Sequence, residues 1–304
     1  MIFYWRLGRI GLHLISGILQ LALIFPFFDK TQKQQRIQHW SQQLLHICGV
    51  QLTVYGTIPS SAGKLLVANH ISWLDIFIIN AVSPQRFIAK EDIRHWWLIG
   101  YLVAQADTIF IRRSRHAVNT QTLHNIALAL REGEAIALFP EGTTSNGAEI
   151  LPFKSSFLQA AIDAKAMITP LCCYYPDEAG SADTAMAYYG EISLWQSLSV
   201  LLKRKKSRAV VHFLPAETAE MDRHQLAQHL RQQLLNVLYQ PHGLATELNQ
   251  VENDGYALGF SFKDLKINHK KSYAWRSFFC RWQQLFTRFL LLSWISFGLV
   301  NRIF

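Results

Sequence analysis

The strongest constraint on the fold is a long alternation between short apolar runs and runs of helical periodicity. It extends from about residue 50 to about residue 240. In Ala117–Arg131, for example, Leu123, Ile126 and Leu130 fall on one helical face, and Gly133 follows as a stop. The predicted strands are Gln51–Tyr55, Leu65–Ala68, Arg86–Ala89, Thr108–Ile111, Ala135–Phe139, Met167–Tyr175 and Ala209–Leu214. This pattern predicts an α/β fold with a central mixed, largely parallel sheet flanked by helices.

The first 40 residues contain a segment suited to a membrane. Ile10–Phe28 is 19 residues long and carries no formally charged side chain, which is enough to cross or deeply enter a bilayer. Positive charges stand on both sides of it, so the charge distribution gives no orientation. A span and a segment that enters and leaves one leaflet are both open, and a buried core helix is the third interpretation. We assign residues 1–40 as a membrane-anchoring helical segment before the α/β domain, which covers residues 41–245.

A basic and aromatic extension, residues 246–304, follows this domain. The polar stretch Asn249–Gly255 predicts a linker. Beyond it, eight Lys and Arg residues stand against a single acid, Asp264, with aromatic residues interspersed among them. The apolar run Phe289–Val300 is too short to cross a bilayer alone. A helix lying at the membrane surface fits this composition, and a helix docked on the domain with a solvated basic face is the alternative.

Composition limits the class of partner. Half of the residues are apolar, 17% are charged and the net charge is +9, which excludes a disordered chain and a small disulfide scaffold. A basic and apolar chain fits an anionic membrane surface, whereas charge alone would also fit nucleic acid. Because the basic residues cluster with Trp and Phe, we do not expect nucleic acid as a partner. The four cysteines form no C-x-x-C motif, so we expect free thiols and a reducing compartment.

The strongest candidate for chemistry is the run from Asn69 to Asp75, NHISWLD. It follows an apolar strand and opens an apolar helix, and α/β proteins place reactive groups at the ends of strands. His70 is suited to take a proton near neutral pH, and Asp75 can hold its imidazole in one tautomer. The two side chains meet only if His70 lies in the turn before the helix, which Ser72 as N-cap would arrange. The structural alternative is that Ser72-x-x-Asp75 is an acidic capping box and His70 a satisfied buried histidine.

Two further strand ends carry polar clusters. Phe139–Gly147, FPEGTTSNG, offers backbone N–H groups and hydroxyls that can bind an anion, and packing explains Glu141 poorly there. A turn rich in Gly, Thr and Asn is the plain alternative. Ile109–Arg115 ends in arginines that suit a bidentate grip on phosphate or carboxylate, or that form a surface charge run.

Four motifs in order resemble those of the 1-acylglycerol-3-phosphate acyltransferase family. They are Asn69-His70-x4-Asp75, Phe110-Ile111-x-Arg113, Phe139-Pro140-Glu141-Gly142-Thr143 and Ile168-Thr169-Pro170. The similarity covers about residues 40–240. Four ordered motifs at this spacing are far more specific than any one of them alone.

The resemblance implies a role for each matching residue. His70 would be the general base and Asp75 its partner. The acceptor, chiefly its anionic head, would be bound by Asn69, Arg113, Glu141, Gly142, Thr143 and Thr144. The acyl site would be lined by Ile168, Thr169 and Pro170. The family transfers an acyl group from acyl-CoA or acyl carrier protein, as co-substrate, to a lysophospholipid hydroxyl, so no cofactor and no metal are expected.

Departures from the family pattern leave the acceptor open. Asp107 and Arg112 stand where the second motif usually has Gly and an acid, and Thr144 replaces an Arg that often continues the third motif. The loss of that cation weakens the case for a phosphomonoester acceptor, unless Arg112, Arg115 or Lys154 nearby restores the charge. The run Glu141–Thr144, followed by Leu151–Ser156, looks closer to the branch that acylates lyso-ornithine lipid. A non-catalytic membrane-surface protein is a further alternative.

The expected setting follows from the expected substrates. Membrane lipids and the thioester donor are the partners, and the active site is expected on the cytoplasmic face of the inner or cell membrane, where thioester donors occur. The sequence contains no G-x-S-x-G, G-x-G-x-x-G or Walker motif. It therefore predicts neither an enzyme nucleophile of the hydrolase type nor nucleotide chemistry.

Overall fold

The elements of the fold are taken from the computed structural model, which describes residues 1–58, 63–91, 107–111 and 119–239. The helices of these ranges are α1 (Ile2–Leu23), α2 (Lys30–Cys48), α3 (Asp75–Val82), α4 (Thr120–Arg131), α5 (Leu158–Ala164), α6 (Leu194–Lys203) and α7 (Arg223–Leu238), with 3-10 helices at Phe25–Phe27 and Thr184–Met186. The strands are β1 (Val50–Tyr55), β2 (Lys64–Ala68), β3 (Arg86–Lys90), β4 (Ile109–Ile111), β5 (Ala135–Leu138), β6 (Met167–Tyr174), β7 (Ser207–Phe213) and β8 (Glu217–Thr218). The predicted C-terminal extension, residues 246–304, lies outside the described residues.

The strands form one mixed sheet in which most neighbours are parallel. Their order is β1-β7-β6-β2-β5-β3-β4, and β8 pairs with β6. β6 runs antiparallel to β7 and β8, whereas the other pairs are parallel. The carboxyl ends of β2, β5 and β6 therefore meet at one edge, and the predicted fold class is confirmed.

Helices cover both faces of this sheet. Leu66 and Ala68 of β2 point to one face, where they pack with side chains of α1, α2, α3 and α6. Leu65 and Val67 point to the other, where α4, α5 and α7 pack. β2 is buried along its whole length because it has a strand on each side and helices on each face. The chain that leaves the carboxyl end of β2 therefore starts from a fully buried strand.

α1 and α2 form a helical hairpin whose corner follows from the sequence. Pro26 lies in the 3-10 helix between them, and Asp29 begins α2 with a capping box. The Asp29 carboxylate accepts from the Gln32 N–H at 2.8 Å, and the Gln32 side chain accepts from the Asp29 N–H at 3.0 Å. Among the described residues, no helix is both long enough and apolar enough to cross a bilayer. Anchoring of residues 1–40 in a membrane stays a prediction.

A buried arginine ties α1 to the rest of the domain. Arg6 donates from its guanidinium to three carbonyls at the end of α6, those of Leu202, Arg204 and Lys205. Its head also lies against Gly49, the left-handed residue (φ +75°) that ends α2. A Cβ at Gly49 would come within 2.1 Å of the guanidinium and would displace it from its carbonyl partners, and the left-handed backbone itself favours glycine.

Most predicted elements agree with the observed ones to within two or three residues. The helix predicted over Ala117–Arg131 is observed from Thr120 to Arg131, and its first residues lie outside the described ranges. β8 was not predicted, because two residues are too few to show a strand period. Its pairing with β6 depends on long-range contacts that local sequence does not encode.

A histidine in the α1–α2 contact is held neutral. His13 is 8% exposed, stacks on Trp40 with ring centroids 4.4 Å apart, and places Nε2 3.0 Å from the Trp40 carbonyl oxygen. Burial lowers the pKa of His13 to about 4, with His39 and Arg9 contributing by repulsion and the Trp40 carbonyl opposing the shift. Above about pH 6.5 both the folded and the unfolded chain hold His13 neutral, so folding stability does not depend on its protonation. Between pH 6.5 and about 4 the unfolded chain binds the proton more readily, so the fold loses stability as the pH falls through this range.

We expect wild-type protein to lose about 2 kcal/mol more folding free energy between pH 7 and pH 5 than His13→Gln, which keeps a donor but does not titrate. His124→Gln, which removes an exposed histidine of α4 that does not contribute to the His13 pKa, is the matched control and should keep the wild-type pH dependence. Urea unfolding at both pH values measures the difference. An identical pH dependence in wild type and His13→Gln would contradict this role for His13.

Candidate active site

The site begins where β2 ends, and Asn69 fixes that point. The Asn69 Nδ2 donates to the Cys173 carbonyl oxygen at 2.9 Å, and its Oδ1 accepts from the Cys173 N–H at 2.7 Å. The side chain thus extends the pairing of β2 with β6 by one step beyond the last strand residue. Asn69 is 1% exposed. In this structure it holds the exit of the chain from the sheet, where the resemblance implied contact with the acceptor.

His70 and Asp75 are in contact, as the hypothesis of a catalytic pair requires. His70 Nδ1 lies 2.8 Å from Asp75 Oδ2. α3 begins at Asp75, so His70 lies in the turn before the helix. The prediction of Ser72 as N-cap is wrong, because Leu74 occupies that position and no side chain caps the helix. The Asp75 carboxylate instead reaches back to the Ser72 N–H at 2.9 Å, and so closes the turn from the helix side.

The Asp75 carboxylate is fully buried, and both of its oxygens accept hydrogen bonds. Oδ2 accepts from the His70 ring and from the N–H groups of Ile71 and Ser72, at 2.7 and 2.9 Å. Oδ1 accepts from the Tyr175 hydroxyl at 2.6 Å. Backbone N–H groups can only donate, so this surrounding suits the ionised carboxylate. An ionised Asp75 holds the proton of a neutral His70 ring on Nδ1 and leaves the lone pair on Nε2.

Tyr175 is a residue of this network that the sequence did not reveal. It follows β6 directly, and 100 positions separate it from Asp75. The only available signal was its place at the end of a predicted strand, since the ends of neighbouring parallel strands meet at one edge of the sheet. Nothing in the local sequence distinguishes it from an ordinary core tyrosine.

The His70 ring is held on one face as well as at Nδ1. It stacks on Phe139 with centroids 4.0 Å apart and planes 14° from parallel, and Phe139 stacks in turn on Phe87. The His70 side chain is 19% exposed. No described residue forms a hydrogen bond to Nε2. Nδ1 is used in the contact with Asp75, so Nε2 is the ring nitrogen that can take a proton.

Glu141 is a second buried carboxylate, and it contacts the backbone of His70. It is 2% exposed; Oε1 accepts from the His70 N–H at 2.7 Å and Oε2 from the Leu151 N–H at 2.9 Å. Burial raises the pKa of the Glu141 carboxyl to about 7, against the two backbone donors, which lower it. Arg231 of α7 braces the same segment by donating to the carbonyls of Ile150 and Leu151. Through its two backbone contacts Glu141 connects the third motif to the turn that carries His70.

The rest of the loop closes over the same turn. The Ser145 N–H donates to the His70 carbonyl oxygen at 2.8 Å, and the Thr144 hydroxyl donates to the carbonyl of Tyr188. Gly142 permits the tight bend after Glu141 through a left-handed φ of +68°. Thr143 has an exposed side chain. Of the predicted acceptor ligands with side chains in this loop, Thr143 is thus the most accessible.

Four predicted site residues remain, namely Arg113 and the acyl-site residues Ile168, Thr169 and Pro170. Ile168, Thr169 and Pro170 are buried within β6, and Thr169 Oγ1 has no hydrogen-bond partner in the described part of the chain. Their side chains are buried in the sheet, and their role in lining the acyl site stays a prediction. Arg113, with Arg112 and Arg115, lies outside the described residues.

The described residues offer no cluster of three or more His, Cys, Asp and Glu side chains that could hold a metal ion. Three cysteines, Cys48, Cys172 and Cys173, are buried free thiols. Burial raises the pKa of the Cys172 thiol to about 12, so it does not provide a thiolate. The absence of a cofactor stays a prediction.

Replacing Glu141 by Gln tests its part in holding the site. A glutamine amide has one oxygen, so its NH2 group must face either the His70 or the Leu151 N–H. We expect Glu141→Gln to lower the free energy of unfolding by about 1–3 kcal/mol, the cost of an unpaired buried donor. Glu149→Gln, exposed in the same loop, should change it by less than about 0.5 kcal/mol. Urea unfolding followed by tryptophan fluorescence compares the two, and equal stabilities would contradict the assigned contacts.

Comparison with known proteins assigns this arrangement to a family. The acyltransferase family model matches residues 51–174, which include His70, Asp75 and Glu141. A 1-acyl-sn-glycerol-3-phosphate acyltransferase of Neisseria gonorrhoeae is 37% identical over 161 residues, 53% of this chain and 63% of that protein. The chain therefore spans less than two thirds of the length of that relative.

Two longer alignments extend the comparison. A lyso-ornithine lipid O-acyltransferase of Pseudomonas aeruginosa is 31% identical over 240 residues, 77% of this chain and 90% of that protein. The crystal structure of the 1-acyl-sn-glycerophosphate (LPA) acyltransferase PlsC from Thermotoga maritima superposes with a TM-score of 0.56 at 17% identity, covering 76% of this chain and 92% of that one. At this identity the likeness shows a shared fold. The chain belongs to the acyltransferase family that includes the 1-acyl-sn-glycerol-3-phosphate and lyso-ornithine lipid acyltransferases.

Proposed function

We propose that the protein is an O-acyltransferase that moves a fatty acyl group from an acyl thioester to the free hydroxyl of a lysophospholipid such as 1-acylglycerol-3-phosphate. The observation that carries the proposal is the contact of His70 Nδ1 with a fully buried Asp75 carboxylate. It leaves Nε2 as the basic atom of a ring clamped by Phe139. Such a pair is suited to remove a proton from a hydroxyl as that hydroxyl attacks.

The mechanism needs one proton transfer and one carbonyl addition. His70 Nε2 takes the proton of the acceptor hydroxyl while its oxygen attacks the thioester carbonyl carbon. The imidazolium formed is stabilised by Asp75, which remains an anion because backbone N–H groups and Tyr175 hold it. Collapse of the tetrahedral intermediate breaks the carbon–sulfur bond, and the thiolate takes up the proton from His70. A thioester is already activated, so the proposal requires no enzyme nucleophile and no cofactor.

The two candidate acceptors, 1-acylglycerol-3-phosphate and lyso-ornithine lipid, differ in their head groups. The Neisseria relative supports 1-acylglycerol-3-phosphate, whereas the Pseudomonas relative, aligned over most of its length, supports lyso-ornithine lipid. Thr144 favours the second candidate in one respect. Its hydroxyl is committed to the Tyr188 carbonyl, so the position that often carries an arginine in this family offers no cation to a phosphate.

The exposed surface of the α1 helix supports the proposal that the protein acts at a membrane surface. Its outward face is apolar and exposed over several turns, with Trp5, Leu12, Ile15, Leu19 and Leu23. The exposed lysines 203, 205 and 206 lie at the end of α6, which Arg6 joins to α1. We infer that α1 lies among the acyl chains of one leaflet while these lysines face anionic headgroups. Lipid acceptor and lipid product would then enter and leave within that leaflet, on the cytoplasmic side where the donor thioester is found.

Acyl transfer in membranes that contain the protein tests the proposal. Acyl-CoA and acyl carrier protein thioesters are offered with lysophosphatidate or lyso-ornithine lipid in parallel. We expect transfer to at least one acceptor, and His70→Ala should lower kcat by about 10²- to 10⁴-fold, the usual contribution of a general base. His124→Ala, which removes an exposed histidine of α4, should keep wild-type activity.

Each outcome has a distinct meaning. A higher kcat/KM for lysophosphatidate supports the main proposal, and a higher value for lyso-ornithine lipid supports the second candidate. Full activity of His70→Ala would exclude the general-base mechanism. Folded protein without activity towards either acceptor would favour the non-catalytic alternative and count against both candidates.

A further inference from the structure

We propose that Tyr175 is a positioning residue of the His70–Asp75 pair, acting through the Asp75 carboxylate. The predicted effect of Tyr175 on kinetics rests on the proposed acyl transfer, whereas its predicted effect on the titration of the His70–Asp75 pair does not. The family motifs quoted above do not include this residue. The inference comes from one buried contact, the 2.6 Å hydrogen bond between the Tyr175 hydroxyl and Asp75 Oδ1.

The position of Tyr175 is fixed by the sheet. It follows the last residue of β6, the strand that pairs with β2, and it is 2% exposed. Its carbonyl oxygen accepts from the Asp183 N–H at 2.8 Å, which fixes the backbone beyond the strand. The ring is packed among the core side chains on the α1, α2, α3 and α6 face of the sheet. The hydroxyl is a fixed donor at the base of the site.

The two oxygens of Asp75 are held by different parts of the protein. Oδ2 is held by the turn itself, through the N–H groups of Ile71 and Ser72 and the His70 ring. Among the described residues, Oδ1 is held by Tyr175 alone. Without this hydroxyl, Oδ1 becomes a buried acceptor with no donor, and rotation of the carboxylate about Cβ–Cγ is no longer opposed from the sheet side. Tyr175 thus aims Oδ2 at the ring.

The hydroxyl acts as a donor and not as a proton carrier. Burial, and next the negative charge of Asp75, raise the pKa of Tyr175 well above its ordinary value, so it stays protonated. The other titratable groups around Asp75 are His70 in the turn, Glu141 in the third-motif loop and Cys173 on β6. Neither Glu141 nor Cys173 donates a hydrogen bond to Asp75, so neither substitutes for the phenol.

Removal of the Tyr175 hydroxyl should shift the titration of the His70–Asp75 pair in a predictable direction. The Ile71 and Ser72 N–H groups still keep Oδ2 beside the ring in Tyr175→Phe. The lost hydrogen bond drew negative charge away from the carboxylate, so its loss leaves Asp75 more basic and its attraction for the imidazolium stronger. Both effects favour uptake of a proton by the pair. The His70–Asp75 pair of Tyr175→Phe should therefore take up its proton at a higher pH than that of the wild type.

The chain offers a matched control in the adjacent residue. Tyr174 also donates its hydroxyl to a single acceptor, the Gly180 carbonyl oxygen at 2.7 Å. Tyr174→Phe removes a hydrogen bond of the same kind next to the same strand, but away from Asp75. Both variants keep ring volume, so both should fold with a modest loss of stability.

The kinetic test compares Tyr175→Phe with Tyr174→Phe. We expect Tyr175→Phe to lower kcat about tenfold, as for a weakened hydrogen bond to a charged group, with KM changed less than about twofold. The acid limb of its kcat/KM profile should move to higher pH. Tyr174→Phe should match the wild type in both respects. Identical kcat and pH profiles for the two variants would overturn the proposal, even with equal losses of stability.

A second measurement does not depend on activity. In protein labelled with ¹⁵N-histidine, the signals of His70 are assigned by their loss in His70→Ala and followed across pH. The titration midpoint should move upward in Tyr175→Phe and stay in place in Tyr174→Phe. An unmoved midpoint in Tyr175→Phe overturns the inference. An inactive wild type with a shifted midpoint overturns the proposed function alone.

Discussion

The structure of the site depends on keeping one carboxylate charged in the interior. Asp75 is fully buried, and a bare carboxylate there would be very unfavourable. Four donors and the amino end of α3 offset that cost. These donors come from the turn after β2 and from the end of β6, so the charge is stable only while both strands and α3 keep their places. The geometry of the pair is thus tied to the core of the sheet.

A second carboxylate holds the other end of the same residue. Asp75 fixes the ring of His70, and Glu141 fixes its backbone N–H. Glu141 in turn is held by the Leu151 N–H, in a segment that Arg231 braces from α7. The third motif therefore contributes to the site in two ways. Glu141 shapes the turn that carries His70, and Thr143 presents an exposed side chain. The burial of Glu141 is consistent with a structural role, whereas the proposed catalysis is carried out by the more exposed His70.

The sequence predicted the parts of the molecule that local pattern encodes. The apolar runs identified seven strands, and four ordered motifs identified the family, because strand periodicity and motif spacing are local properties. The His70–Asp75 contact followed from helix geometry once His70 was placed before the helix. Tyr175 and β8 could not be found this way, since each depends on a partner far along the chain. The motifs did identify Asn69 and Glu141, but not their contacts with Cys173 and with the N–H groups of His70 and Leu151. A motif indicates that a residue matters, but only tertiary contacts separate a residue that faces a ligand from one that holds the turn behind it.

The central claim is that His70 and Asp75 act as one unit in acyl transfer. The most direct test is the kcat of His70→Ala, Asp75→Ala and the double variant, measured with the preferred acceptor under identical conditions. The account predicts that the double variant is slower than His70→Ala by less than about threefold, because Asp75 acts only through the imidazole. Two losses that multiply fully in the double variant would contradict it, since Asp75 would then serve the reaction by a route that does not pass through His70.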